Sequence, residues 1–227
     1  GELFASLSPD GRWVVYTGEG AGNRDIYLQS VSGQTPINLT ADSPADDEQP
    51  SFSHDGERIA FRSSRDGGGI FVMGQTGEAV RRVTHEGFNP AWSPDGTELA
   101  YTTVPTELRP QNAEQRGRLM VVAVNGGEPR QLYDEAMLPT WSPRGLRIAF
   151  SGRLAGAEGT ANIATLATAG GDVVPVTQDS FLNWNPIWAP DGASLYFVSN
   201  RGGSMNIWRI AIDETSGRPR GEPEPIT

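Results

Sequence analysis

Aspartate recurs before glycine along this chain, and carboxylates at a fixed repeat position could in principle bind a metal ion or exchange protons. The recurring tetrapeptides are Ser8-Pro9-Asp10-Gly11, Ser53-His54-Asp55-Gly56, Ser93-Pro94-Asp95-Gly96, Ser142-Pro143-Arg144-Gly145 and Ala189-Pro190-Asp191-Gly192. An aspartate before glycine also closes its own turn through a side-chain to backbone hydrogen bond, and it tolerates the backbone that a hairpin needs. We therefore expect these aspartates to shape turns and not to form a carboxylate site.

Few other side chains are suited to catalysis. The sequence has two histidines and no cysteine, and all 18 of its basic residues are arginine. Thiolate nucleophiles, disulfides, Cys-based metal sites and Schiff-base lysines are thereby excluded, and no Gly-x-Ser-x-Gly nucleophile elbow occurs. His54 occupies the proline position of a turn and His85 follows a strand, so we expect surface positions for both. We predict no catalytic residues, no metal site and no cofactor.

The elements that position these turns form a repeat with steps of 45, 40, 49 and 47 residues. Runs rich in β-branched and aromatic residues flank each turn, and a third run and a short fourth run follow. An aromatic residue stands two residues after a proline in four units: Phe52, Trp92, Trp141 and Trp188. We expect each proline to begin its strand, where the missing N–H costs no ladder bond, and each aromatic to pack one unit on the next.

A period in the forties with four strands and no helical periodicity is typical of propeller blades. The sequence predicts an all-β fold, a β-propeller of five four-stranded antiparallel blades. We expect a single domain over residues 1–227, with blades at about 1–40, 41–84, 85–133, 134–177 and 178–227. Five blades could close a ring by packing blade five on blade one, or form an arc of a larger ring. Both arrangements stay open.

The charge and hydropathy of the chain limit the classes of partner that it can bind. The net charge is −10 and the basic residues cluster only at Arg81-Arg82, so nucleic acids and anionic membrane surfaces are poor partners. No apolar run approaches the roughly 20 residues that span a bilayer, and this chain shows no signal peptide. The acidic segment Asp42 to Glu48 lacks the spacing of a calcium loop. We interpret it as a solvated loop, with calcium binding left open.

Two segments resemble the blade repeat of the TolB propeller family. They are Asn89-Pro90-Ala91-Trp92-Ser93-Pro94-Asp95-Gly96 and Asn185-Pro186-Ile187-Trp188-Ala189-Pro190-Asp191-Gly192. The resemblance extends over essentially the whole chain, although Arg144 replaces the aspartate in the fourth turn and the first unit lacks the proline and the aromatic. It implies a bacterial protein with a periplasmic or extracytoplasmic location. The same blade occurs in binding proteins, peptidase propellers and sensor domains, so the fold alone leaves the activity open.

The connections that lead into first strands are the best candidates for a binding face. In a propeller they emerge around the channel mouth, beside the connections between second and third strands. Apolar anchors among carboxylates suit the docking of a protein or peptide. The candidate partner-binding residues are Asp46, Asp47, Glu48, Phe88, Asn89, Met137, Leu138, Phe181, Trp184 and Asn185. The alternative, that Phe88, Met137 and Trp184 only plug the channel, stays open.

The long insertions and three arginines can be located relative to the candidate binding face. Long insertions at Pro105–Gly117 and Gly152–Thr160 lie between second and third strands, on the same side, and Glu214–Glu224 lies on the opposite side. Arg65, Arg153 and Arg201 follow second strands at a shared offset, and we expect them to tie loops to neighbouring blades.

The leading functional hypothesis is a non-catalytic propeller that binds proteins, or an extrinsic subunit of a cell-envelope complex. A second hypothesis is the propeller part of a prolyl-oligopeptidase-like enzyme whose hydrolase domain lies outside these residues. A third is a propeller that binds a small ligand or a sugar. A Ser-His-Asp domain in the complete gene would favour the second, and a ligand bound at the channel mouth would favour the third.

Overall fold

Twenty β-strands make up nearly all the regular structure of the computed structural model, which describes residues 3–19, 22–105, 117–154 and 161–227. They form five antiparallel sheets of four strands, each in sequential order. The strands of the first two sheets are β1 Leu3–Leu7, β2 Trp13–Glu19, β3 Arg24–Ser30, β4 Ile37–Asn38, β5 Asp47–Phe52, β6 Arg58–Ser63, β7 Gly69–Gly74 and β8 Arg81–Arg82. A short 3-10 turn, Arg65–Gly67, lies between β6 and β7.

The remaining three sheets continue the pattern. Their strands are β9 Phe88–Trp92, β10 Glu98–Thr102, β11 Leu119–Ala123, β12 Arg130–Tyr133, β13 Ala136–Trp141, β14 Arg147–Gly152, β15 Asn162–Ala167, β16 Val174–Pro175, β17 Asn183–Trp188, β18 Ser194–Ser199, β19 Asn206–Ala211 and β20 Glu224–Pro225. The five sheets are the five propeller blades that the repeat predicts, and each lies within one of the expected ranges. We number them blade 1 to blade 5.

The chain divides into two compact units. Unit 1 consists of Gly1–Thr103 with Val121–Pro129, and unit 2 consists of Val104–Met120 with Arg130–Thr227. Whether residues 1–227 form a single domain therefore stays a prediction. Among the described residues no helix is long and apolar enough to cross a membrane.

Each first strand contains a β-bulge, which corrects the expectation that proline begins the strand. Pro50 and Pro90 lie inside β5 and β9, and the residues before them, Gln49 and Asn89, have φ values of 56° and 53°. The pairing register shifts by one residue at each bulge, for example between Glu48 and Ser51. Because the bulge takes the chain out of the ladder locally, proline's missing N–H is tolerated within the strand.

A threonine after the fourth strand fixes the third strand in four blades. The hydroxyl of Thr40 accepts a hydrogen bond from the backbone N–H of Ile26 at 3.0 Å. The equivalent hydrogen bond is present in three other blades. It joins Ile70 to Thr84 at 2.9 Å, Ile163 to Thr177 at 2.9 Å and Ile207 to Thr227 at 3.1 Å. This contact explains why an apolar residue and a threonine recur at the end of the fourth strand.

Where two neighbouring blades pack together, one face of the first blade contacts the opposite face of the next. In unit 1, Val15, Ile26 and Leu28 of blade 1 form a buried cluster with side chains of blade 2 that include Phe52 and Phe61. In unit 2, one face of blade 4 packs in the same way against Trp188 and its neighbours in blade 5. In these two pairs of blades the aromatic residue after the proline, Phe52 or Trp188, packs on the preceding blade, as expected from the sequence.

Candidate functional site

The aspartates of the Asp-Gly turns are structural, as predicted. Asp10, Asp55 and Asp95 each accept a backbone N–H two residues later at 3.0 Å, and Asp191 accepts one from Ala193 at 2.9 Å. In the first three of these turns the serine at the start donates its hydroxyl to the same carboxylate, at 2.6 Å for Ser8 and Asp10. The following glycines have φ values near +70°, which side chains rarely adopt.

The fourth turn, which has Arg144 in place of aspartate, receives its carboxylate from elsewhere in unit 2. Glu214 accepts hydrogen bonds from the backbone N–H of Arg144 at 2.9 Å and from its Nε at 2.7 Å. Burial raises the pKa of Glu214, but the hydrogen bonds from Arg144 and Ser142 outweigh burial and lower it overall. The Glu214–Glu224 segment therefore includes a residue that completes a turn of the neighbouring blade.

These turns make stability sensitive to acid. Hydrogen bonds from Ser8 and Arg12 lower the pKa of Asp10 from 3.8 to about 2. A carboxyl whose pKa is lower in the folded state stabilises the fold above its unfolded pKa and loses that contribution as the pH falls through the folded value. We expect the melting temperature to fall between about pH 4 and about pH 2, and Asp10→Asn to flatten that fall. Thermal melts from pH 2 to 5 measure this, with exposed Asp42→Asn as control. An unchanged slope in Asp10→Asn would contradict the assignment.

Both histidines lie on the surface, as expected. His54 is exposed in its turn, and exposed His85 accepts a hydrogen bond from Arg82 at 3.1 Å between Nη1 and Nδ1. Within the described residues, no three histidine or acidic side chains lie together as metal ligands would.

The acidic residues before β5 do not share one role. The carboxylate of Asp47 is fully buried and accepts a hydrogen bond from Arg65 Nη2 at 2.6 Å. Burial raises the pKa of Asp47, and the hydrogen bonds to its side chain oppose the shift. Asp46 is exposed, and its Oδ1 accepts the backbone N–H of Arg24 at 2.9 Å. Asp47 is thus unsuited to the rim of a docking surface because no partner can reach it, whereas Asp46 has the required exposure.

Glu48 and Phe88 lie next to arginines that sequence reasoning missed. Glu48 forms an ion pair with Arg24 and is the cross-strand neighbour of Arg62. The guanidinium of Arg62 lies 5.0 Å from the centre of the Phe88 ring, and its Nη1 is buried with no hydrogen-bond partner among the described residues. Burial lowers the pKa of Arg62, although Glu48 and its acidic neighbours oppose the shift. Phe88 itself is half-buried.

Gln49, the residue in the bulge of β5, was also missed. Its backbone N–H donates to the Thr17 hydroxyl at 3.1 Å, and its side-chain oxygen accepts the N–H of Asn89 at 2.7 Å. Asn89, a candidate site residue, is thereby buried between blades. The signal in the sequence was the position before the proline, where the backbone has a positive φ; at Gln49, Asn89 and Asn185 its N–H donates to a neighbouring blade.

Unit 2 presents a second aromatic and arginine pair. Arg201 donates from Nη2 to Asp179 and Asn183, each at 2.9 Å, and its guanidinium lies 5.6 Å from the centre of the Phe181 ring. Phe181 is 39% exposed. Arg201 thus ties the loop after β18 to the connection that enters β17, as Arg65 ties the loop after β6 to β5. Both arginines act within their own blade and not toward a neighbouring one.

The other candidates in unit 2 lie on β13 and β17. Met137, Leu138 and Trp184 are half-buried, and Asn185 is exposed. The backbone N–H of Asn185 donates to the Ser151 hydroxyl at 3.0 Å. The structure therefore groups Asp46, Glu48 and Phe88 within unit 1 and Phe181, Trp184 and Asn185 within unit 2. Most of the two predicted insertions, residues 106–116 and 155–160, lies outside the described residues.

Five four-stranded antiparallel blades, four of them with an Asp-Gly hairpin, define a β-propeller repeat protein. The family model described as the TolB beta propeller domain matches residues 3–109 and 87–220. The chain belongs to this family.

One curated relative and two solved structures illustrate this similarity. The Tol-Pal system protein TolB of Francisella tularensis subsp. mediasiatica is 30% identical over 82 residues, which are 35% of this chain and 19% of that protein. The chain thus matches about a fifth of this relative's length. A putative TolB from Agrobacterium tumefaciens is 21% identical with a TM-score of 0.79, covering 100% of this chain and 80% of the other. An oligogalacturonate lyase in complex with manganese is 18% identical with a TM-score of 0.67, covering 99% and 64%. At these identities the two structures show the fold alone.

Proposed function

We propose that this chain is a non-catalytic propeller that binds a protein partner, as an extrinsic subunit of a bacterial cell-envelope complex. Membership of the TolB family and the similarity to a Tol-Pal system protein support this assignment. The proposal includes a periplasmic or other extracytoplasmic location. It involves no cofactor.

The observation that carries the proposal is an aromatic ring paired with an arginine near a first strand in each unit. Phe88 with Arg62 places a partly exposed ring at the start of β9, and Phe181 with Arg201 places one just before β17. Aromatic and arginine side chains are the residues that most often dominate binding energy at protein interfaces. Because each arginine already packs over its ring, and Arg201 is also paired with Asp179, a partner pays little entropy to order these side chains.

The polar surroundings suit the rim of such an interface. Asp46 is exposed and Glu48 is half-buried beside Arg24. Rim charges mainly steer the approach of a partner and add less to the final affinity. Within the proposal, Asp46→Asn therefore slows association and weakens its salt dependence, whereas buried Asp47 has no direct role.

Binding of purified Pal protein from the source bacterium tests the proposal. We expect Phe181→Ala and Trp184→Ala each to raise Kd about tenfold or more, since truncating a dominant interface residue costs more than about 1.4 kcal/mol. Isothermal titration calorimetry measures Kd, and thermal melts show that the variants stay folded. The matched control is Leu146→Ala, which truncates an exposed apolar residue directly after the Arg144-Gly145 turn and should leave Kd within twofold.

Two results would overturn the proposal in different ways. Absence of Pal binding by the unmodified chain would reject the assignment to a Tol-Pal type of complex. If the chain binds Pal tightly, but Leu146→Ala weakens binding and Phe181→Ala does not, Pal would remain the partner. The binding surface would then lie elsewhere than proposed.

A further inference from the structure

Arg62 departs from the repeat at a position where most of the other blades have a hydroxyl group. By strand register, the equivalent residues are Thr17, Thr102, Ser151 and Val198. In blade 1 the hydroxyl of Thr17 accepts the backbone N–H of Gln49 in the next blade at 3.1 Å. In blade 4 the hydroxyl of Ser151 accepts the N–H of Asn185 at 3.0 Å. An arginine side chain has no acceptor, so Arg62 cannot make this contact.

The side chain of Gln49 replaces the missing acceptor. Its Oε1 accepts the backbone N–H of Asn89 at 2.7 Å, which is the equivalent hydrogen bond between blade 2 and blade 3. The hydrogen bond that joins these two blades therefore does not need the side chain of Arg62. Its guanidinium is left free for another role.

The guanidinium of Arg62 is held in place but has unused hydrogen-bond donors. Its Cζ lies 5.0 Å from the centre of the Phe88 ring. A β-carbon on Gly68 would lie 3.3 Å from Nη2, so the absence of a side chain there leaves room for this nitrogen. Nη1 is buried without a hydrogen-bond partner, and Nε and Nη2 make no hydrogen bond to a described residue either. The donors of this group are thus available to a ligand.

The carboxylates near Arg62 are bound to other groups. Glu48, its cross-strand neighbour, and buried Asp47 each form an ion pair with another arginine. Asp46 accepts the backbone N–H of Arg24. The charges of these three carboxylates favour the protonated guanidinium and oppose the lowering of its pKa by burial. Arg62 is therefore a half-buried cation without an ion-pair partner of its own among the described residues.

We propose that Arg62 binds the carboxylate of an aspartate or glutamate side chain on the protein partner. This assignment depends on the proposed function, because it names the chemical group that the surface around Phe88 recognises. A planar guanidinium can bind a carboxylate through two parallel hydrogen bonds. The ring of Phe88 and the backbone at Gly68 orient the plane of the guanidinium before the partner arrives, which lowers the entropy cost of binding.

Arg62→Thr restores the hydroxyl group of the repeat and tests this inference with Pal. We expect Kd for Pal to rise about tenfold or more, because hydrogen bonds between charged groups are among the strong ones. The melting temperature should stay the same or rise, since the variant removes a half-buried charge without an ion-pair partner. Arg62→Lys keeps the charge and loses the paired donors, so Kd should rise by a smaller factor.

The matched control is Arg12→Thr, which removes the same charge from an exposed residue of the first Asp-Gly turn in unit 1. This variant should leave Kd for Pal within about twofold, because a charge outside the interface contributes little to affinity. Isothermal titration calorimetry of all three variants and the unmodified chain gives the comparison.

Acetate serves as a probe for the carboxylate group itself. At equal ionic strength, sodium acetate should weaken the binding of Pal to the unmodified chain more than sodium chloride does. The two salts should act alike on Arg62→Thr. Without Pal, acetate should shift the Nε–Hε NMR signal of Arg62, which is identified by its absence from the spectrum of Arg62→Thr.

Three results would overturn the inference. If the unmodified chain and Arg62→Thr bind Pal equally well, the proposed function would stand without a role for Arg62. If acetate acts like chloride and leaves the Arg62 signal in place, the bound group would not be a carboxylate. A melting temperature several degrees lower in Arg62→Thr would assign the arginine to the packing of blade 3 on blade 2. If Pal does not bind the unmodified chain, the proposed function fails, and an acetate shift at Arg62 would still support a carboxylate site.

Discussion

Replacing Trp92 with alanine is expected to lower the free energy of unfolding by about 3–5 kcal/mol, the usual cost of truncating a buried aromatic residue. Trp92 is 2% exposed. Its Nε1 donates to the Ser51 carbonyl at 3.0 Å, and the Arg58 guanidinium lies 4.6 Å from its ring centre. Truncation therefore leaves a cavity between blades 2 and 3 and removes a hydrogen bond and a cation–π contact at once.

The repeat provides the matched control for this change. Leu7→Ala alters the same position in blade 1, where the side chain is largely exposed, and should cost less than about 0.5 kcal/mol, as most surface substitutions do. Urea unfolding of both variants and the unmodified chain gives the two differences. A loss below about 1 kcal/mol for Trp92→Ala would contradict the packing of blade 3 on blade 2.

The second large effect is expected from Arg65→Met, which should cost about 3–5 kcal/mol because it leaves the buried carboxylate of Asp47 without its partner. Arg65 also lies 5.4 Å from the ring centres of Phe61 and Phe71, and methionine keeps much of that apolar contact. The predicted loss is therefore mainly electrostatic. Adding Asp47→Asn to Arg65→Met should restore part of the stability, since the unpaired charge is then gone.

The pH dependence of Arg65→Met separates this explanation from simple loss of packing. Burial already raises the pKa of Asp47, and removing the arginine raises it further. A carboxyl whose pKa is higher in the folded state favours folding increasingly as the pH falls through that value. The loss in free energy of unfolding caused by Arg65→Met should therefore be smaller in mildly acidic solution. The buried ion pair would be contradicted if the stability lost in Arg65→Met did not change with pH and were not reduced by Asp47→Asn.

Local patterns were sufficient to predict the blades. An Asp-Gly turn needs only its own side chains and the following N–H groups, so Asp10 and Asp95 could be assigned to turns from the sequence. The strands on either side followed from β-branched and aromatic runs. The aromatic position, exemplified by Trp92 and Trp188, could be assigned to packing between blades because it recurred at a fixed distance from the turn.

What the sequence did not predict depends on residues that meet only in the folded chain. Asp47 looked like a surface charge within an acidic segment, but Arg65, 18 positions later, buries it. Glu214 completes the turn of Arg144 from 70 positions away. The bulge before each proline, which places Gln49 and Asn89 between blades, depends on pairing register. The contact of Arg62 with Phe88 depends on the packing of two blades.

Hydrogen–deuterium exchange of the chain with and without bound Pal tests the proposed function most directly, because it maps the binding surface without altering a residue. The account predicts slower exchange in the complex for residues 44–48, 86–89 and 179–185, and unchanged exchange for residues 214–224. Protection confined to residues 214–224 or to the Asp-Gly turns, with residues 86–89 and 179–185 unaffected, would contradict a binding surface at the first strands.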